Sequence, residues 1–233
     1  MQEIRVTSVN RHEIPVLISD EKEALLAAKA AGRAVFGLWK PGQDMDELAG
    51  AKYIVENPDD VTDMLVERVA RRHLGLPWHI CETERLLIRE IFADDFDEVW
   101  SHQIGRGFGS IEELEAYTKN QYDFYEFGFW ALVEKGTGTL IGVAGLTVPE
   151  DVEEDDDRTE VYVLDAGAAG ETLELGYHIF PKHRKHGFAR ESCQAILQYG
   201  VEELGADRFI VRIDKENEAS KHLARSLGFV PEP

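Results

Sequence analysis

LELGYHIFPKHRKHGFARESCQAILQYGVEEL, residues 173–204, decides how this chain is read. The opening residues alternate as a strand does, so Thr172, Glu174, Gly176 and His178 share one face and Leu173, Leu175, Tyr177 and Ile179 the other. Lys182, His183, Arg184, Lys185 and His186 then gather positive charge in one place. A helix follows, with Cys193, Ile196, Leu197, Val201 and Leu204 on one face at three- and four-residue spacing. It opens on Gly187, with no Ser, Thr, Asp or Asn to cap it. A helix start leaves backbone N–H groups unpaired and carries partial positive charge, and a bound pyrophosphate satisfies both. Glycine lets the backbone approach phosphate with no Cβ in the way. The same residues also read as a solvated basic loop ending in a turn glycine. No GxxxxGK[ST] and no GxGxxG occurs, so neither a nucleoside-triphosphate loop nor a dinucleotide fingerprint is present. His178, His183 and His186 stand beside Arg and Lys, which oppose a cation, so no metal site is read here.

Working outward, ERLLIRE near residue 86 predicts a strand, and IFADDFDEVWSHQIG and SIEELEAYTKNQYDFYEF predict helices. FWALVEK and LIGVAGLTV predict a hairpin around 136–138. An acidic run, 150–157, precedes a strand at EVYVLD. After the helix come strand RFIVRID and helix EASKHLARSLGF. The order gives a mixed α+β sheet over 79–233. Ahead of it, PVLISD, AVFGLW and KYIVE alternate with an alanine-rich helix stopped by Gly32 and a helix opened by Asn57 and Pro58. That pattern predicts a small Rossmann-like βαβ half-domain over 1–78, bounded near Pro77.

The chain has 233 residues, 43% hydrophobic and 30% charged, a balance that supports packed cores. Its formal net charge of -20 disfavours phosphate backbones and anionic membranes and favours cationic substrates, although such acidity also simply keeps a protein in solution. Cys81 and Cys193 lie far apart, which predicts a reducing compartment without a disulfide framework. No signal peptide or membrane-length apolar run is read, so a cytoplasmic location is expected.

The segment Arg184-Lys185-His186-Gly187-Phe188-Ala189 resembles the [Q/R]-x-x-G-x-[G/A] acetyl-CoA motif of the GNAT N-acetyltransferase superfamily. Leu175-Gly176-Tyr177 is similar to the "GY" strand of its ribosomal-protein N-terminal-acetyltransferase branch. Thr83-Glu84-Arg85-Leu86-Leu87-Ile88-Arg89 resembles that branch's opening strand, and Asn217-Glu218-Ala219-Ser220 with Leu227-Gly228-Phe229 its closing signature. The resemblance implies a splayed mixed sheet, acetyl-CoA as co-substrate, and transfer to a primary amine, either a small molecule or a protein N-terminus, by direct attack in a ternary complex. It implies that Arg184, Lys185, His186, Gly187, Phe188 and Ala189 cradle the pyrophosphate and that Asn217 is a cofactor-side contact. It also implies that the main chain at Ile179 runs beside the pantetheine, its N–H an oxyanion-hole donor. Glu174 is the expected base. Where many members carry a tyrosine as general acid this chain has Ala224, and Ser220 is the substitute, with capping of the last helix as its other role. Members usually add two strands after that helix, so either the chain is shortened or another segment or subunit completes the sheet; an exposed edge would invite a homodimer. A non-catalytic acyl-CoA-binding sensor or assembly module is the alternative.

The first part carries a second likeness. Ser19-Asp20 with Ala27 to Gly32, Pro41-Gly42-Gln43 and Ala51-Lys52-Tyr53-Ile54 resemble the tail of a haloacid-dehalogenase-type domain. The nucleophilic DxDx[T/V] is absent and the second acid of the motif falls on Ala24, so an inactive accessory domain is expected and a phosphatase is not.

Overall fold

A computed structural model describes residues 2–48, 50–102, 108–149, 158–167 and 170–232, all but the side chain of Asp123. The acidic run 150–157 lies outside the described residues. The chain divides into two compact units, Met1–Trp78 and His79–Pro233.

The first unit holds β1 (Gln2–Val9), β2 (His12–Ser19), α1 (Lys22–Ala30), β3 (Ala34–Leu38), β4 (Ile54–Val55) and α2 (Asp63–His73). β2, β3 and β4 run parallel, as expected, and β1 adds an antiparallel edge that the sequence reading did not foresee. Asn10 and Arg11, both at positive φ, close the β1–β2 hairpin as a two-residue turn of the mirror-image type that matches strand twist. α1 ends before Gly32 at φ +68. Asn57 opens only a single 3₁₀ turn, Pro58–Asp60, by accepting from Asp59 N–H. α2 starts later, capped by Thr62, which accepts from Leu65 N–H. Val16, Ile18, Phe36, Val66 and Ala70 form the core between sheet and helix.

In the second unit the strands are β5 (His79–Glu82), β6 (Leu86–Glu90), β7 (Phe129–Glu134), β8 (Thr139–Thr147), β9 (Thr159–Asp165), β10 (Glu171–Ile179), β11 (Ala206–Asp214) and β12 (Val230–Pro231). The helices are α3 (Phe96–Ser101), α4 (Ile111–Phe124), α5 (Phe188–Glu202) and α6 (Glu218–Ser226). The sheet order is β12-β9-β11-β10-β8-β7-β6-β5. β7 shows why two layers cover it. Trp130 and Leu132 enter the core that α5 closes, while Phe129, Ala131 and Val133 turn to the core that α3 and α4 close. The mixed α+β fold with one large sheet is therefore observed. The place beside β11 is filled by β9, a strand that precedes β10 in sequence, and β12 pairs onto β9.

Candidate active site

The functional geometry follows from one register. β10 and β11 pair in parallel from Glu171↔Ala206 to Glu174↔Ile210 and no further. Beyond that point β10 stays on β8 through Ile179, and β11 stays on β9 through Asp214. The two central strands therefore part, and a wedge opens between their C-terminal ends. Phe180 N–H donates to Ile141 O on the β8 side at 2.9 Å. Main-chain groups alternate sides along a strand, so those of Tyr177 and Ile179 face the wedge. Arg184 confirms that direction for the carbonyl, since its Nε donates to Ile179 O at 2.8 Å.

Behind the wedge the chain makes a 3₁₀ turn, Pro181–His183, then passes through Lys185 at φ +65 and Gly187 at φ +84 into α5. The left-handed Gly187 is the N-cap, and no side chain caps the helix. The first intrahelical bond is Glu191 N–H to Gly187 O, which leaves the N–H groups of Phe188, Ala189 and Arg190 without a helical acceptor. These three residues line a cleft of about 420 Å³. A Cβ on Gly187 would meet the Arg85 guanidinium at 3.4 Å, so the conformation rather than lack of space requires glycine there.

Of the residues expected to serve the site, the cleft gathers Ile179, Arg184, Lys185, Gly187, Phe188, Ala189, Asn217 and Ser220. His186 and Glu174 do not line it. The His186 carbonyl accepts from Arg85 Nη1 at 2.9 Å, and its ring tilts against Phe188. Glu174 forms an ion pair with Arg212 of β11, with both side chains about one-fifth exposed. Asn217 is the cap of α6, its side chain accepting from Ser220 N–H at 3.0 Å. That corrects the capping role considered for Ser220, which stands in the helix's first turn with its hydroxyl free of that duty.

The structure brings to the cleft two residues to which the sequence assigned no catalytic or binding role, Tyr177 and His178. Tyr177 lines the cleft with its hydroxyl buried against Ser220, though no hydrogen bond of good geometry closes on it. Burial raises the pKa of its phenol, and the Ser220 contact opposes that in part. His178 also lines the cleft. Burial lowers its basicity, and Arg184 and His102 lower it further, so the imidazole is neutral at physiological pH. His102, at the end of α3, stacks on Phe180 with centroids 3.8 Å apart. Cys193 is fully buried, its thiol pushed up to about 12 by burial, which makes it core rather than nucleophile.

A clamp fixes the start of α5. Glu191 accepts from Arg85 Nε at 2.7 Å, from Arg85 main-chain N–H at 2.9 Å and from the Thr83 hydroxyl. The Arg85 guanidinium also lies 4.4 Å over the Phe188 ring. Burial raises the Glu191 carboxyl, but the hydrogen bonds from Thr83 and Arg85 outweigh it and hold the group below the usual carboxylate range. The opening-strand motif and the anion-loop motif are thus parts of one joint. Among the described residues no three of His, Cys, Asp and Glu gather as a metal would need, and no helix is long and apolar enough to cross a membrane.

The acetyltransferase (GNAT) domain model matches residues 85–230. The chain belongs to the GNAT acetyltransferase family. It is an acetyl-CoA-dependent N-acetyltransferase by that membership. Among its relatives, the uncharacterized N-acetyltransferase YoaA of Bacillus subtilis is 27% identical over 165 residues, covering 66% of this chain and 84% of YoaA. The uncharacterized N-acetyltransferase YnaD of the same organism is 27% identical over 156 residues, covering 63% of this chain and 79% of YnaD. A GNAT-family acetyltransferase structure from Bordetella pertussis superposes with a TM-score of 0.51 at 21% identity, over 66% of this chain and 89% of that one, a likeness of fold. Acetyltransferases of this fold use acetyl-CoA, and the cradle fits it. An uncapped helix start, a left-handed glycine and the cations Arg184 and Lys185 together suit a pyrophosphate.

Proposed function

We propose that this enzyme moves an acetyl group from acetyl-CoA to a primary amine, a small molecule or a protein N-terminus, by direct attack within a ternary complex. The observation that carries the reading is the wedge between β10 and β11, with the uncapped start of α5 behind it. When bound, acetyl-CoA supplies the activated acyl group as a thioester. Arg184, Lys185 and the main chain from Gly187 to Ala189 hold the pyrophosphate, with Asn217 alongside. The Ile179 N–H, turned into the wedge, donates to the oxygen on which charge builds. Hydroxyls of Ser220 and Tyr177 face each other on the α6 side, where a departing thiolate needs little help because its conjugate acid is already near pKa 8.5. The strongly acidic chain supports a cationic acceptor, and the motif likeness to the ribosomal-protein branch supports a protein N-terminus among the candidates.

The acceptor arrives as an ammonium and must lose a proton before it attacks. Glu174 is the proposed base, acting through water, with Arg212 orienting it. A specific observation supports a second reading. His178, on the same strand face, lines the cleft, whereas Glu174 lies outside its lining and is ion-paired to Arg212. Free-thiol release over a panel of amines separates the two. Loss of a base lowers turnover about 10²–10⁴-fold with acetyl-CoA affinity held. Glu174→Gln with unchanged turnover removes Glu174 from the mechanism, and the same result for His178→Gln removes His178. The likeness of the first unit to a phosphatase tail stands as a proposal about ancestry, with Asp20 buried and ion-paired to Lys40.

A further inference from the structure

β1 stands at the end of the first unit's sheet, and among the described residues β2 is the strand it pairs with. The pairing runs through all eight residues without a bulge, and β1 contains neither proline nor lysine. Those are the usual devices that blunt a free sheet edge. Ile4 and Val6 are each 58% exposed on one face of the strand, opposite Leu17 and Pro15 of β2.

The two-residue turn fixes which main-chain groups this edge offers. Val9 and His12 flank the turn and exchange hydrogen bonds, so Thr7, Arg5 and Glu3 also bond to β2. Gln2, Ile4, Val6 and Ser8 therefore turn their N–H and C=O groups outward. Glu3 and Arg5 stand on either side of Ile4 and carry opposite charge. They pair with each other at 3.0 Å, both part-exposed, and the Arg5 guanidinium also donates to the Val61 carbonyl.

We infer that the first unit is a dimerisation module, in which β1 pairs antiparallel with β1 of a second copy about a twofold axis at Ile4. Two four-stranded sheets then become one of eight. A twofold contact must be self-complementary, and that condition selects the register. An axis at Glu3 or at Arg5 sets like charges opposite each other. An axis at Val6 or at Thr7 sets Arg5 against Thr7 or Val9. The axis at Ile4 sets Glu3 opposite Arg5 of the other copy, twice, with Ile4 against Ile4 and Gln2 bonded to Val6. Each chain has one such edge, since β4 at the other end is two residues long, so association stops at two. The homodimer contact thus lies on the first unit and leaves the acetyl-transfer cleft unaltered.

Sedimentation velocity of the full chain over a range of concentrations tests this, with a monomer–dimer equilibrium as the expected result. Ile4→Pro removes an outward N–H and no bond to β2. It abolishes the dimer, while turnover and the melting temperature, read at a dilution where the chain is monomeric, both hold. Glu3→Lys makes both charge pairs repulsive and weakens the dimer about tenfold or more. Mild oxidation reads the register, with the unaltered chain, whose Cys81 and Cys193 are not exposed, as control. Ile4→Cys links two chains, because Cα atoms of a hydrogen-bonded pair lie about 5.5 Å apart. Val6→Cys does not, because a four-residue offset separates the two thiols by about 14 Å. A monomer at every concentration, assemblies larger than two, a dimer that survives Ile4→Pro, or linkage through Val6→Cys and not Ile4→Cys overturns the inference. Should Ile4→Pro melt early, Glu3→Lys decides, and undiminished association in that variant overturns it as well.

Discussion

Glu191→Gln tests whether the opening strand holds the anion loop. In the native protein one carboxylate takes three donors: the Thr83 hydroxyl, Arg85 N–H and the Arg85 guanidinium. Glutamine keeps the shape but removes the charge, and its amide NH₂ must turn to at least one of those donors. A hydrogen bond to a charged group contributes about 1.5–3 kcal/mol. Arg85 is 42% and Glu191 18% exposed, so solvent screens part of this and about 1–2 kcal/mol is the expected loss. If the loss falls on placing residues 184–189, acetyl-CoA affinity drops about 5–30-fold. Calorimetric titration of acetyl-CoA beside a thermal melt measures both shares. Arg85→Ala alone and combined with Glu191→Gln completes a double-mutant cycle, in which the coupled pair gives a sub-additive double variant. Affinity and melting temperature both unchanged in Glu191→Gln, or strict additivity, would refute the clamp.

Two further outcomes follow from the site. Asn217→Ala removes the α6 cap and costs about 1 kcal/mol in denaturant unfolding, whereas Ser220→Ala leaves stability nearly intact, so a large stability loss in Ser220→Ala contradicts the cap assignment. His178 is held below its ordinary value by burial, Arg184 and His102, so it resists protonation in the folded state. Its contribution to stability is therefore fully present above the unfolded value near 6.5 and is lost as pH falls through the lower folded value. His178→Gln should flatten that acid-side loss. If His178 is also the base, the acid limb of kcat/KM moves with it, and an unmoved limb returns the role to Glu174.

The strand at residues 171–179, the helix after it and the glycine between them were legible because alternation, helical spacing and a missing cap are local signals. What escaped the sequence is mostly long-range. The Glu174–Arg212 pair joins residues 38 apart, and the Arg85–Glu191 joint residues 106 apart, through a register that only the assembled sheet defines. β1 escaped for a different reason. Ile4 and Val6 are exposed while the inward face carries Arg5 and Thr7 ahead of Val9, so apolar residues do not mark its buried side, and its turn uses Asn10-Arg11 instead of the glycine that usually marks such a hairpin. Asn57-Pro58 misled because cap chemistry also serves a single turn, and Thr62 holds the true start of α2. The Ser220 and Asn217 roles were separable only once the direction of the cap bond was known.

The placement of β9 bears on how the molecule comes together. β9 and β10 are neighbours along the chain, yet β11 lies between them in the sheet, and Thr159 pairs with Asp214. β9 therefore cannot find its partner until β11 has been made and inserted, so its docking is a non-local and comparatively slow event. During synthesis this strand waits with both edges unpaired, the kind of intermediate that is open to aggregation. β9 pairs with β11 through Asp214, past Ile210 where β10 leaves it, so the wedge has its β11 wall braced only once β9 has docked. Cofactor binding should then appear late in refolding, together with β9 docking rather than with formation of the β7–β8 hairpin.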